Sequence, residues 1–378
     1  MDFETLCLHA DNNERDEWGT LTMPICQSAT FVHRGVGIPS EYSYSRLSNP
    51  TRSHLEHTVA VLEGGYAAFA FSAGMTAVTV AMMLFKPGDH VIATDDLYGG
   101  ALRLFRNVCN TNGLEFDFVD TSDIGLVKEK IRPQTRLIYL ETPSNPLMRV
   151  TDIRKISELA HANNAMVYVD NTFLTPYYQR PFELGADIVI HSGTKYLGGH
   201  NDTLAGFVVA GNEELARKVL FYSKTIGGQL APFDSFLIER GIKTLPVRMD
   251  RISENALKIA EYLKSEPKIK KVYYVGLKDS EGYEIMKKQA GGFGGMISIE
   301  TESEELARQI LEKIKVFQYA ESLGGVDSLI TYPMLQTHAD VPKEEREARG
   351  IDERFLRISV GIENVRDLIK DLQQAING

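Results

Sequence analysis

The stretch DIVIHSGTKYLGGH (187–200) places one lysine where a lysine is costly. Ile188, Val189 and Ile190 read as a buried strand, followed by Ser192, Gly193 and Thr194, then Lys195, then Gly198 and Gly199. A lysine at the end of a buried strand must be paired, neutral or covalently engaged. A neutral lysine amine is both a base and a nucleophile, and it condenses with an aldehyde. The two hydroxyls beside it suit an anion such as a phosphate.

Other candidates fall at the ends of apolar runs. AAFAFS (67–72) leads into Ala73-Gly74-Met75 at the start of a helical pattern, and HVIAT (90–94) into DDLYGG with Tyr98. RLIYLET (136–142) leads into PSNP with Asn145, and MVYVDN (166–171) ends in Asp170 and Asn171. Singly, each is ordinary: Asp170 could cap a turn, Gly74 could make a tight turn, Tyr98 could pack, and Asn145 between prolines suits any loop. Together they match one ligand chemistry. A helix N-terminus after Gly74, with Ser192 and Thr194, suits a phosphate. Asp170 suits a protonated pyridine nitrogen, Tyr98 can stack on an aromatic ring, and Lys195 can take an aldehyde. That combination describes pyridoxal 5′-phosphate (PLP).

Rival cofactors fit less well. The glycines follow the lysine rather than precede it, so there is no P-loop, and GGFGG (291–295) does not complete G-x-G-x-x-G. H-E-x-x-H is absent, and His191, His200 and His338 lack metal-ligand spacing, so they read as structural or loop residues and no metal is expected.

A sheet must position these groups. From about residue 60 to 225, short apolar runs alternate with amphipathic segments. Strands are predicted at 67–72, 90–94, 115–120, 136–142, 166–171, 187–192 and 206–211, and helices at 75–85, 100–111, 123–131 and 151–164. Runs apolar on both faces and alternating with helices imply an α/β fold with a large, mostly parallel, seven-stranded sheet. Ligand groups then gather at the carboxyl edge of that sheet. The first 45 residues lack the pattern and read as an extended arm (1–45), leaving a large domain over 46–230. Beyond residue 231 the texture changes to one or two long helices, broken or kinked at Pro246. Strand-like runs follow at 271–276, 295–300, 328–333 and 355–361, with helices at 304–314 and 364–376. This reads as a smaller α+β domain over 231–378.

Composition narrows the partners. The chain has 378 residues, 43% of them hydrophobic, with a formal net charge of −10, which argues against nucleic acid. Cys7, Cys26 and Cys109 are odd in number and far apart, so no disulfide framework is expected and a reducing cytoplasm fits. The opening residues are acidic, with no apolar core of a signal peptide, and the longest apolar stretch, 77–85, is too short to cross a bilayer. No membrane partner is expected.

Ordered blocks along nearly the whole chain resemble the Cys/Met-metabolism family of PLP enzymes, which includes cystathionine lyases, cystathionine γ-synthases, methionine γ-lyases and homoserine sulfhydrylases. The blocks are YSRLSNPTR (44–52), FSAGMTA (71–77), DDLYGG (95–100), YLETPSNPL (139–147), VDNTF (169–173), HSGTKYLGGH (191–200), RGIKTLPVRM (240–249), AESLGGVDSL (320–329) and LRISVGIE (356–363). The resemblance implies the aspartate-aminotransferase-like fold (PLP fold type I) and a homotetramer built from two active dimers. It implies that Lys195 links to PLP, Asp170 pairs with the ring nitrogen, Tyr98 stacks on the ring, and Gly74, Met75, Ser192 and Thr194 hold the phosphate. Tyr44 and Arg46 would reach that phosphate across the dimer interface. Arg357 would clamp the substrate carboxylate, with Asn145 near the ring hydroxyl and Ser322 near the carboxylate. Lys195, Tyr98 and Asp170 would carry the catalysis.

Substrate choice is less sharply written. Gly100 stands where methionine γ-lyases typically carry cysteine. Glu321 and Arg103 resemble residues of the cystathionine-handling members, while Ser43 replaces an acidic residue many of them have before the Tyr of YSR. A cystathionine lyase is therefore expected first, by γ-elimination to cysteine, 2-oxobutyrate and ammonia. The alternatives are a cystathionine γ-synthase acting on an O-acylhomoserine and cysteine, a methionine γ-lyase or a homoserine sulfhydrylase. A PLP aminotransferase is the alternative of a different class.

Overall fold

The computed structural model describes residues 1–10, 19–336 and 343–378. His338 and part of the expected arm, 11–18, lie outside the described residues. Among the described residues two sheets form. The larger has the order β1-β7-β6-β5-β4-β2-β3. Its strands are β1 (Ala67–Phe71), β2 (His90–Thr94), β3 (Glu115–Val119), β4 (Thr135–Glu141), β5 (Met166–Asp170), β6 (Ile188–Ser192) and β7 (Gly206–Ala210). Only β7 runs against its neighbours β1 and β6, so the sheet is mostly parallel.

Helices cover both faces, as strands without a polar face require. In chain order they are α1 (Phe3–His9), α2 (Pro50–Glu63), α3 (Gly74–Met82), α4 (Gly99–Leu104), α5 (Ile124–Lys130), α6 (Ile153–Ala162), α7 (Thr175–Tyr178) and α8 (Glu213–Ile226). Alternate residues of one strand enter different cores. Val169 and Val189 pack with Leu55 of α2 and Ile156 of α6. Tyr168, Ile188 and Ile190 pack with Val80 of α3 and Val219 of α8.

The remaining helices are α9 (Pro232–Ile242), α10 (Leu245–Ser265), α11 (Tyr283–Gln289), α12 (Glu304–Lys313), α13 (Lys343–Ala348) and α14 (Val365–Asn377). They accompany a sheet of order β10-β11-β12-β9-β8, with β8 (Ile269–Tyr273), β9 (Met296–Thr301), β10 (Gln318–Tyr319), β11 (Leu329–Thr331) and β12 (Phe355–Ser359). Its core joins Ile259 of α10, Ile310 of α12 and Leu372 of α14 to Ile297, Ile330 and Ile358 of the sheet.

Three expectations change in detail. The segment read as an arm begins with α1, which packs on α2 and buries Cys7. The long helical stretch breaks at Lys243-Thr244 rather than at Pro246. Pro246 sits in the first turn of α10, where its missing N–H breaks no helical bond. Helices α2, α7, α8, α11 and α13 and the two-residue strand β10 were not foreseen.

Candidate active site

The carboxyl ends of the large sheet's parallel strands meet β12 and the turn before β11 around a cavity of about 320 Å³. Lys195 follows β6 in a tight turn, its N–H donating to Ser192 O (3.2 Å) and its carbonyl accepting from Gly199 N (2.7 Å). Two glycines make that turn possible. Gly199 has φ +72°, and the Arg248 guanidinium lies 2.2 Å from where a Cβ would sit. Gly241 of α9 passes so close that a Cβ there would lie 2.2 Å from Gly198 O. The Lys195 amine donates to Ser322 Oγ at 2.8 Å. Burial, with the Arg357 charge second and Glu321 opposing both, lowers its pKa to about 8. Ser322 holds φ +87°, a left-handed conformation that a non-glycine residue adopts only when its surroundings enforce it.

Asp170 ends β5, and its Oδ1 accepts the Thr172 N–H at 3.0 Å. Burial raises its pKa, opposed by the Thr172 bonds and by His191. On the opposite face of the sheet, His191 Nε2 meets Glu63 at 2.6 Å, both fully buried, and Asn171 Nδ2 donates to Glu63 Oε1 at 3.3 Å. His191 thus braces the ends of β5 and β6 against α2.

No side chain caps the start of α3, leaving the first N–H groups of the helix, at Gly74 and Met75, to bind an anion. A Cβ on Gly74 would lie 3.1 Å from Ser192 Cβ and Oγ, and a Cβ on Gly206 only 2.2 Å from Ala73 O. Glycines therefore let helix start, β6 end and β7 start converge. Thr194 lines the same corner, its hydroxyl accepting from Ala205 N at 3.0 Å.

Arg357 is carried by β12, between Ser298 of β9 and Thr331 of β11. Its buried fork donates to Asn145 Oδ1, Ser322 O and Thr331 Oγ1, each at 3.1 Å. Burial lowers its pKa to about 10, so it stays charged at neutral pH. Such a fork matches a carboxylate.

The cavity thus gathers Gly74, Met75, Tyr98, Asn145, Asp170, Ser192, Thr194, Lys195, Glu321, Ser322 and Arg357. It does not gather Tyr44, Arg46 or Arg103. Arg103 is exposed on α4. Tyr44 is 46% exposed, with the Arg46 guanidinium 5.5 Å from its ring and donating to Lys224 O. Sequence reasoning missed Glu141 and Thr331. A glutamate closing the apolar run RLIYLE was the available indication, because buried carboxylates are rare without a task.

The donor set fits PLP on structural grounds: an uncapped helix start against two hydroxyls, a buried carboxyl, and a desolvated lysine share one cavity. The model of the Cys/Met metabolism PLP-dependent enzyme family matches residues 4–377. A cystathionine beta-lyase of Lactococcus lactis subsp. cremoris is 48% identical over 373 residues, covering 99% of this chain and 98% of that protein. A cystathionine gamma-lyase of Bacillus subtilis is 47% identical over 376 residues, covering 100% and 99%. The crystal structure of a cystathionine gamma-lyase from Lactobacillus plantarum, complexed with L-serine, superposes with a TM-score of 0.98 at 43% identity, covering 100% of this chain and 99% of that one. This chain belongs to the Cys/Met metabolism family of PLP-dependent enzymes and is a carbon–sulfur lyase of the trans-sulfuration type.

Proposed function

We propose that the protein is a cystathionine lyase whose main reaction is γ-elimination, taking cystathionine and water to cysteine, 2-oxobutyrate and ammonia. The observation that carries the reading is the Lys195–Ser322–Arg357 arrangement: one desolvated base beside one buried guanidinium, in a cavity that also holds a partner for a ring nitrogen. When bound, PLP supplies an electron sink for charge developing at the α-carbon.

The chain's own groups do the rest. Arg357 binds the substrate carboxylate, and Asn145 and Thr331 keep its fork in plane. Lys195, with a pKa near 8, is partly neutral at physiological pH and takes the α-proton. Ser322 Oγ, on a backbone held in one unusual conformation, keeps the amine within reach. Tyr98 would stack on the bound cofactor's ring and assist proton transfer, while Asp170 would pair with its ring nitrogen. Gly74, Met75, Ser192 and Thr194 would hold its phosphate. Glu321 and Arg103 serve the distal end of the substrate.

In the same reading, residues 1–45 form an arm, 46–230 the cofactor-binding domain and 231–378 the smaller domain. The chain works in the cytoplasm as a homotetramer of two active dimers, Tyr44 and Arg46 serving the neighbouring subunit's phosphate. Their exposure, away from their own chain's cavity, supports this. The three unpaired cysteines suit a reducing compartment. A second reading, β-elimination to homocysteine, pyruvate and ammonia, is favoured by the relatives named cystathionine beta-lyase at 48% identity. Incubating the PLP-loaded enzyme with cystathionine and identifying the oxo acid separates the two. 2-Oxobutyrate supports the first; pyruvate overturns it in favour of the second. Product from an O-acylhomoserine plus cysteine, with none from cystathionine, overturns both in favour of a synthase.

A further inference from the structure

Glu141 closes β4 and is buried in the wall of the cavity, yet no step above uses it. Its Oε2 accepts the backbone N–H of Tyr98 at 2.9 Å. Tyr98 is the residue from which α4 starts; its carbonyl accepts from Ala101 N (2.9 Å) and Leu102 N (3.1 Å), and no side chain caps that start from within the helix. The Tyr98 ring folds back over its own turn, so closely that a Cβ on Gly100 would lie 2.4 Å from Cε1. Ring and turn are therefore set together, and among the described residues Glu141 is the side chain that pins the turn from the sheet.

A carboxyl is an expensive anchor here. Burial first, then the Asp170 and Asp96 carboxyls, push the Glu141 pKa well above its ordinary value, while the Tyr98 N–H and Arg357 pull the other way. The direction favours the protonated acid, whose carbonyl oxygen can still accept the Tyr98 N–H. A neutral carboxyl has the shape and acceptor of an amide, so glutamine should replace it and an apolar residue should not.

We infer that Glu141 is a positioning residue for the elimination, fixing the placement of Tyr98 over the cofactor seat through the Tyr98 N–H. The inference rests on the reading of Tyr98 as the ring-stacking residue. The test compares the PLP-loaded wild type with Glu141→Met, Glu141→Ala, Glu141→Gln and Tyr98→Ala. Three quantities are read: the rate of PLP loss on dialysis, the position of the bound-cofactor absorbance band, and kcat and KM for cystathionine.

Glu141→Met keeps the volume and fills the apolar side of the site, so it serves where Glu141→Ala does not fold. Both should lose PLP about tenfold faster, shift the band, and lower kcat about tenfold while KM moves less than about threefold. Glu141→Gln should stay within about threefold of wild type throughout. Wild-type behaviour of Glu141→Met overturns the inference, as does a Glu141→Gln variant as impaired as Glu141→Met, which would mean that charge rather than the acceptor matters. Tyr98→Ala separates the two layers. If it too leaves retention and the band unchanged, the stacking role itself fails. If it is impaired while Glu141→Met is not, only the role of Glu141 fails.

Discussion

Lys195 trades stability for reactivity, and the trade has a measurable sign. Its pKa falls from 10.5 to about 8 in the folded chain, chiefly by burial. The unfolded chain therefore binds more protons between those values, and stability contributed by this residue rises with pH from about 8 to 10.5. Below pH 8 the full penalty applies. Lys195→Met should stabilise the PLP-free protein at pH 7 by up to about 3 kcal/mol, with the gain vanishing near pH 10.5. Urea unfolding at pH 7 and pH 10 reads this directly, and equal midpoints at pH 7 would count against a desolvated amine. Arg357 makes the opposite case, a buried charge already surrounded by three acceptors. Arg357→Lys keeps the charge but loses the fork, and should raise KM for cystathionine about 100-fold, or roughly 3 kcal/mol. A KM within threefold of wild type would remove Arg357 from the carboxylate site. At this scale, Lys195 and Asp170 were legible because their types clash with their strands. Arg357 was not, because its partner Asn145 lies 212 positions away in sequence; only the family resemblance brought the two together.

The elements were legible in proportion to how much of their surface is buried. All seven strands of the large sheet were read within a residue or two, since strands covered on both faces are apolar throughout. Helix α2 was missed because its sequence, PTRSHLEHTVAVLE, mixes polar residues into a face that other helices and the sheet cover. It buries Thr51, Arg52, Thr58 and Glu63 as well as Leu55 and Val59, so no clean apolar stripe marks it. Glycine contacts between elements were unreadable, because they depend on which backbones meet. They carry a sharp expectation. A Cβ on Gly241 would lie 2.2 Å from Gly198 O and 2.7 Å from Leu197 O, backbone atoms that cannot rotate away. Gly241→Ala should therefore push α9 off the Lys195 turn, cost about 1–3 kcal/mol in urea unfolding, and accelerate PLP loss. Gly241 lies inside α9, where alanine would otherwise favour the helix over glycine. If Gly241→Ala unfolds at the wild-type midpoint or above it, crowding between α9 and the turn is not what Gly241 prevents.

For the whole molecule, what matters is how many chains build one site. Lys195, Asp170 and Arg357 line a cavity within a single chain, whereas Tyr44 and Arg46 stand outside it on an exposed segment. If Arg46 serves its own chain, Arg46→Ala and Lys195→Ala damage the same site, and mixing the two variants restores nothing. If Arg46 serves the neighbour, the outcome differs. A dimer pairing one variant with the other holds one site with both residues mutated and one with both intact. Random pairing makes half the dimers mixed, and half of their sites intact, so co-refolded variants should recover about a quarter of wild-type activity. The recovered activity should scale with the fraction of mixed dimers separated by differently charged tags. Activity that stays at the sum of the two separate variants, despite proven mixed dimers, would place Arg46 outside the partner's site and leave each chain to work alone.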